Sequence, residues 1–106
     1  MRVLLDESLP RQLKIELPGH DVETVPGTGW AGKKNGELLR LADERFDFFV
    51  TPDRSLPAQQ NLPKLRLTFV ILRARSNDIA DLLPLMPALR SALANQAPGN
   101  VLWLGG

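Results

Sequence analysis

Two short apolar runs in this chain end in acids. Arg2-Val3-Leu4-Leu5 passes directly into Asp6-Glu7, and Phe46-Asp47-Phe48-Phe49-Val50 passes into Thr51-Pro52-Asp53. If the two runs are parallel strands of one sheet, their acids fall at the same rim. Carboxylates brought close together there repel unless a cation lies between them. Mg²⁺ or Mn²⁺ suits such a set, because hard divalent ions take oxygen ligands and often keep several waters. Glu37, near the start of a later helix, could reach the same strand ends, and Glu7 and Asp78 are supporting candidates. Three carboxylates from three segments would make an open site for metal-assisted phosphodiester hydrolysis. In that chemistry the metal lowers the pKa of a bound water and offsets charge building on the phosphate.

Each acid also has a purely structural role open to it. Asp6 could cap a first helix, Asp53 could hold the turn after Pro52, and Glu37 could complement a helix dipole. Convergence on one rim favours the site. Arg54 follows Asp53 directly, and Arg73 and Arg75 follow the run ending at Leu72. All three could line that rim and hold phosphate in planar, bidentate fashion; alternatively, Arg54 pairs with Asp53. Trp30 could stack on a base, but a loop Trp more often anchors its loop to the domain. Lys33 and Lys34 read as solvated, His20 as structural. Gln59-Gln60-Asn61 could contact a substrate or partner, or simply satisfy loop backbone.

The elements that must position these residues follow from the apolar pattern. Arg2–Leu5 reads as a buried strand. Ser8 looks like the cap of a helix with Pro10 in its first turn and Leu9, Leu13 and Leu17 on one face. Pro18-Gly19 stops it. Asp21–Val25 alternates with period two and reads as a second strand. Pro26–Lys34 is a loop, and Asn35 can cap a helix whose apolar face is Leu38, Leu39, Leu41 and Ala42. Phe46–Thr51 is a third strand, followed by a turn-rich stretch with one short helix near 58–61. Leu67–Leu72 is the most apolar strand, central or near-central. Ile79, Leu82, Leu83, Met86, Leu89 and Leu93 run at helical steps, and Pro84 and Pro87 must kink or divide that segment. Val101–Leu104 is the last strand. This β-α-β-α-β-(α)-β-α-β order implies parallel pairing, right-handed crossovers and helices on both faces. Ligands of such sheets bind beyond the carboxyl ends of the strands.

Composition narrows the chemistry. The 106 residues are 43% hydrophobic and 24% charged, with no Cys and one His. That length suits one compact domain burying about 60–70% of its unfolded surface. Disulfide scaffolds, thiolate zinc sites and cysteine nucleophiles are excluded. No run is apolar and long enough to span a membrane, and the first residues lack a signal-peptide pattern, so a cytoplasmic domain is expected. Residues 1–53 carry seven basic and ten acidic side chains; residues 54–106 carry six and two. A net −3 half joined to a net +4 half could hold metal on one side and a polyanion on the other, or simply present two solvated faces.

An ordered set of short motifs runs along nearly the whole chain: Leu4-Leu5-Asp6-Glu7-Ser8-Leu9-Pro10, Pro18-Gly19-His20, Gly29-Trp30-Ala31-Gly32, Asn35-Gly36-Glu37-Leu38-Leu39, Val50-Thr51-Pro52-Asp53, Gln59-Gln60-Asn61-Leu62, and the stretch from Leu72 through Pro87. Taken in that order the chain resembles the small PIN-like domains, the metal-dependent nuclease fold of toxin ribonucleases in prokaryotic toxin–antitoxin pairs. The resemblance implies a three-layer α/β/α sandwich with a central, mostly parallel five-stranded sheet and an acidic pocket at one rim. It implies Mg²⁺- or Mn²⁺-dependent cleavage of RNA, a cognate antitoxin as partner, and often a homodimer. Asp6 matches the acid after the first strand, Asp53 the acid of the Thr-x-Asp motif, and Glu37 the helix-borne acid. Asn35 stands where many relatives carry Asp. After Asp53 the only acids are Asp78 and Asp81, with Asp78 the sole substitute for a fourth site acid.

Two other functions compete. A response-regulator receiver also places acids after strands one and three, but it wants Thr or Ser ending strand four and Lys ending strand five. Here strand four runs into Arg73, and no Lys follows Lys64. The stronger rival is a PIN-like interaction domain that kept the fold, lost the chemistry and binds a protein partner. The Leu- and Pro-rich stretch 82–89 would offer such a surface if it did not pack inward.

Overall fold

In the computed structural model, which describes residues 1–106, five strands form one sheet. They are β1 (Arg2–Leu5), β2 (Asp21–Thr24), β3 (Phe48–Thr51), β4 (Thr68–Arg73) and β5 (Val101–Gly105). The lateral order is β2-β1-β3-β4-β5, and every neighbouring pair is parallel. Residues 3–5 of β1, all of β3 and residues 68–72 of β4 are buried, as strands covered on both faces must be. The edge strands β2 and β5 keep exposed positions.

Two apolar layers sandwich the sheet. On the first face Val3, Leu5, Phe48, Val50, Val70 and Leu72 meet Leu9, Leu13 and Leu17 from the first connection and Leu82, Met86, Leu89 and Leu93 from the last. On the second face Leu4, Phe49 and Phe69 meet Leu38, Leu39 and Ala42 of helix α2, together with Leu56 and Leu62. The architecture is α/β with helical layers on both sides. Burying each large apolar side chain contributes about 1.5–3 kcal/mol, so these two layers are the main source of stability.

The helices depart from the sequence pattern where prolines and glycines crowd. The first is a 3-10 segment, Arg11–Glu16, with Pro10 at its cap position and no side-chain cap bond. Bounded by Pro10 and Pro18-Gly19, it is too short to develop into a full α-helix, and Ser8 turns its hydroxyl to Asp6 instead. The expected loop after β2 opens with one helical turn, α1 (Val25–Thr28), capped by Thr24 Oγ1, which accepts from Gly27 N. Helix α2 (Asn35–Arg45) begins with Lys34, not Asn35, at the cap position. Helix α3 (Leu56–Gln59) precedes a 3-10 turn at Leu62–Lys64. Pro84 and Pro87 divide the next segment into α4 (Ile79–Leu82), a 3-10 turn (Leu83–Leu85) and α5 (Met86–Ala92), whose Leu82, Met86 and Leu89 are core. No helix is long and apolar enough to cross a membrane.

One crossover breaks the expected pattern. The connection from β1 to β2 steps toward one edge over the first face, while β2 to β3 and β3 to β4 step the other way over the second face. Those three share one hand. The connection from β4 to β5 continues in the same lateral direction but over the first face, so its hand is opposite. A uniform hand is the strong rule for parallel sheets. Here the second face above β3 and β4 is already occupied by Leu56, Leu62 and Leu67, whereas the short 3-10 segment leaves room on the first.

Candidate active site

Strands β1 and β3 are neighbours, yet their onward connections leave to opposite faces of the sheet. Such a divergence opens a crevice beyond the carboxyl ends of the two strands, where ligands of open α/β sheets bind. Asp6 and Asp53 stand on its two sides. Asp6 N donates to Val50 O at 2.9 Å, extending the β1–β3 ladder by one residue. This fixes the Asp6 backbone, so its carboxylate is aimed by the sheet itself.

That carboxylate is well supported. Its Oδ1 accepts from Glu7 N at 2.8 Å. Its Oδ2 accepts from Thr51 Oγ1 at 2.7 Å and from Ser8 Oγ at 3.4 Å. Thr51 is fully buried, and the same Oγ1 accepts from Asp53 N at 3.1 Å. Asp53 Oδ1 in turn accepts from Ser55 N at 2.9 Å and Ser55 Oγ at 2.5 Å, and Gln59 Nε2 donates to Ser55 Oγ at 3.1 Å. A continuous array therefore runs Asp6–Thr51–Asp53–Ser55–Gln59. Asp53 does hold its turn, through Oδ1, while no protein group donates to its Oδ2. Asp6 caps no helix; only its main-chain carbonyl serves the following turn, accepting from Leu9 N.

Glu37 lies outside that array. It sits in the first turn of α2, and its Oε1 is 3.1 Å from Lys33 Nζ, an exposed pair one helical turn apart. The start of α2 still adjoins α3, for a Cβ built on Gly36 would stand 3.7 Å from Gln60 Oε1. Glu7 is exposed and contributes only its N–H to Asp6. Asp78 is exposed at the start of α4, its N–H donating to Ser76 Oγ, and Asp81 rather than Asp78 accepts from that hydroxyl. No group of three or more acidic or imidazole side chains stands together as a ready-made ion site.

Three arginines flank the array. The ion pairs of the molecule join Arg2–Asp21, Lys33–Glu37, Arg66–Asp43 and Arg90–Glu16, so Arg54, Arg73 and Arg75 have no carboxylate partner. Arg54 does not pair with Asp53; its Nη2 donates to Ala74 O at 3.4 Å, bringing the loops after β3 and β4 together. Trp30 anchors its loop, edge-on to Phe46 at 6.1 Å with the Arg45 guanidinium 5.1 Å over its ring. Half-buried His20 has an enclosed Nδ1 without a partner and faces no acid of the rim.

Sequence reasoning passed over Ser55 and Trp103, and it took Ser8 for a cap and Thr51 only as part of a motif. The alternation Thr51-x-Asp53-x-Ser55 was the available signal: three short polar side chains at i, i+2 and i+4 can bond one another's backbone through a turn. Compared with protein-family models, with curated proteins and with solved structures, the chain matches none.

Proposed function

We propose that the chain is a PIN-like, Mg²⁺- or Mn²⁺-dependent endoribonuclease acting at the β1–β3 rim. The observation that carries this reading is the Asp6–Thr51–Asp53 array at one rim, in which the buried Thr51 hydroxyl holds the Asp6 carboxylate and the Asp53 backbone N–H while Ser55 orients the Asp53 carboxylate. Mg²⁺ is commonly held by only one or two carboxylates together with waters and substrate phosphates, so this pair fits it without a third acid. A bound ion would supply a water of lowered pKa and neutralise charge on the phosphate. Asp6 and Asp53, whose Oδ2 accepts no protein donor, would hold the ion. Thr51 fixes the Asp6 carboxylate, and Arg54, Arg73 and Arg75 face the RNA strand, Arg54 and Arg75 toward its phosphates. Glu37, once released from Lys33, would serve as a further ligand or orient the attacking water. A toxin role, restrained by a cognate antitoxin in the cytoplasm, extends the same reading. Glu37 held by Lys33 favours a second reading, an inactive PIN-like domain that binds a protein partner.

The test is a thermal melt with and without millimolar Mn²⁺, beside Asp6→Asn and Asp53→Asn, followed by cleavage of a labelled RNA. At ten times the dissociation constant the ion adds about 1.4 kcal/mol to stability, several degrees for a domain of this size. A shift lost in both variants, with cleavage lost alongside, supports the enzyme. An unshifted melt and intact RNA favour the binding domain.

A further inference from the structure

Because the last crossover runs over the first face, no helix covers the second face beside β5. Trp103 is on that face, 41% exposed, opposite Ile71 in the β4–β5 register. Arg73, two residues beyond Ile71 and on the same face, places its guanidinium 5.5 Å from the centre of the Trp103 ring. Its Nε is enclosed without a hydrogen-bond partner, Gly106 lies close to it, and no Asp or Glu side chain pairs with it. Arg75 follows on the same loop, and Arg54 reaches that loop through Ala74 O. An exposed indole thus stands beside the Arg73 guanidinium, with Arg75 two residues further along the chain and Arg54 bonded to the intervening Ala74 O.

We propose that Trp103 and Arg73 form a stacking platform for single-stranded RNA, with a base on the aromatic–guanidinium surface and the neighbouring phosphates on Arg75 and Arg54. Charge complementarity selects this occupant. The platform belongs to the half of the chain with six basic and two acidic residues, and a second copy would bring the same unbalanced positive charge against it. Aromatic side chains and Arg planes take up unstacked bases with little regard to sequence. A duplex keeps its bases stacked and offers the platform only phosphates. The inference rests on the ribonuclease reading for the choice of RNA, yet it concerns binding and needs neither metal nor cleavage.

The test uses the full chain in EDTA at low salt. A fluorescein-labelled single-stranded RNA of about 12 nucleotides, within the span of known single-strand sites, is titrated by anisotropy against wild type, Trp103→Ala, Trp103→Phe and Arg75→Ala. A parallel titration of unlabelled RNA follows indole emission. Trp103→Ala weakens binding by about tenfold or more, while Trp103→Phe stays close to wild type and the wild-type indole emission is quenched. Arg75→Ala weakens binding and lowers the salt dependence by about one phosphate contact. Melting of each variant checks the fold, which an edge-strand Trp with this exposure does not control. Equal affinity of wild type and Trp103→Ala overturns the platform, as does equal affinity for single strand and duplex. Loss of a wild-type dimer in Trp103→Ala with RNA affinity unchanged assigns the face to a second copy and likewise overturns it. Adding Mn²⁺ then separates the two readings, because RNA that is bound but never cut leaves the platform standing and removes the nuclease.

Discussion

Replacing Thr51 by Val tests the array at its centre. Val fills nearly the same space, so the fully buried site is neither emptied nor overfilled. What disappears is one hydroxyl that donates to Asp6 Oδ2 at 2.7 Å and accepts from Asp53 N at 3.1 Å. A hydrogen bond to a charged group contributes about 1.5–3 kcal/mol, and an amide left without its acceptor costs about 1 kcal/mol or more. Water reaches Asp6, which is only half-buried, and holds the first contribution toward its lower end. The extra methyl gains back about 0.8 kcal/mol. The expected loss is therefore about 2 kcal/mol, or roughly 10 °C in melting temperature for a chain this short. In urea, with a slope of about 1–3 kcal/mol per molar, the midpoint falls by about 1 M. Thr51→Ser keeps the hydroxyl and forfeits only a methyl, so it falls by less. A double-mutant cycle of Thr51→Val with Asp6→Ala should show coupling of about 1 kcal/mol or more, since each removes the same bond. A Thr51→Val midpoint unchanged from wild type, or strictly additive effects in the cycle, would refute the bridging role of this hydroxyl.

Asp53→Asn keeps an oxygen for Ser55 N and Oγ, so it should melt with wild type while losing cleavage of labelled RNA; Asp53→Ala strands those donors and loses about 1 kcal/mol in a urea titration. Lys33→Ala removes an exposed pair one helical turn apart and should change stability by less than about 0.5 kcal/mol, while freeing Glu37 raises the Mn²⁺-dependent cleavage rate. Asp43→Ala is expected to cost about 2 kcal/mol in the same titration, because Asp43 Oδ1 accepts from both Arg66 N at 2.6 Å and Leu67 N at 3.0 Å and ties α2 to the start of β4. Arg54→Gln gives up only an exposed bond at 3.4 Å to Ala74 O; its stability should stay within about 0.5 kcal/mol of wild type, with RNA affinity measurably reduced by anisotropy.

The sequence pattern was sufficient for those parts of the fold that local composition dictates. β1, β3 and β4 are central strands covered on both faces, so their apolar runs are uninterrupted and stand out. Pro84 and Pro87 divide the last helical segment wherever it packs, because the ring removes a donor and clashes with the preceding turn. The hand of the last crossover is a different matter. It depends on which face Leu56, Leu62 and Leu67 have already filled, and residues that far apart in sequence leave no local trace. The acids show the same split. Strand order placed Asp6 and Asp53 on one rim, but the partner each selects depends on side-chain reach: Thr51 for Asp6, Ser55 for Asp53, Lys33 for Glu37. Lys33 stands only four residues ahead of Glu37, just outside α2, so this partner was within local reach in the sequence. The link from Asp43 to Arg66 and Leu67 was not, since it joins residues more than twenty positions apart.

The unusual crossover also explains how acids and arginines come to share one rim without neutralising each other. A doubly wound sheet ordinarily has one divergence, here between β1 and β3. With β4 leaving over the first face, a second divergence lies between β3 and β4. The loop after β3 consequently stands between two points at which neighbouring connections diverge. Toward β1 it presents the Thr51 hydroxyl and Asp53, braced against Asp6; toward β4 it presents Arg54, braced on Ala74 O beside Arg73 and Arg75. Each charge type is held by neutral donors and acceptors, Asp6 by N–H and hydroxyl groups and Arg54 by a carbonyl, so no ion pair forms between them. Were Arg54 paired with Asp53, both the cation-binding and the anion-binding capacity of the rim would be spent internally. Kept apart by the backbone of a single loop, they do not neutralise each other, which is what the proposed metal-dependent cleavage of a phosphodiester would require of this rim.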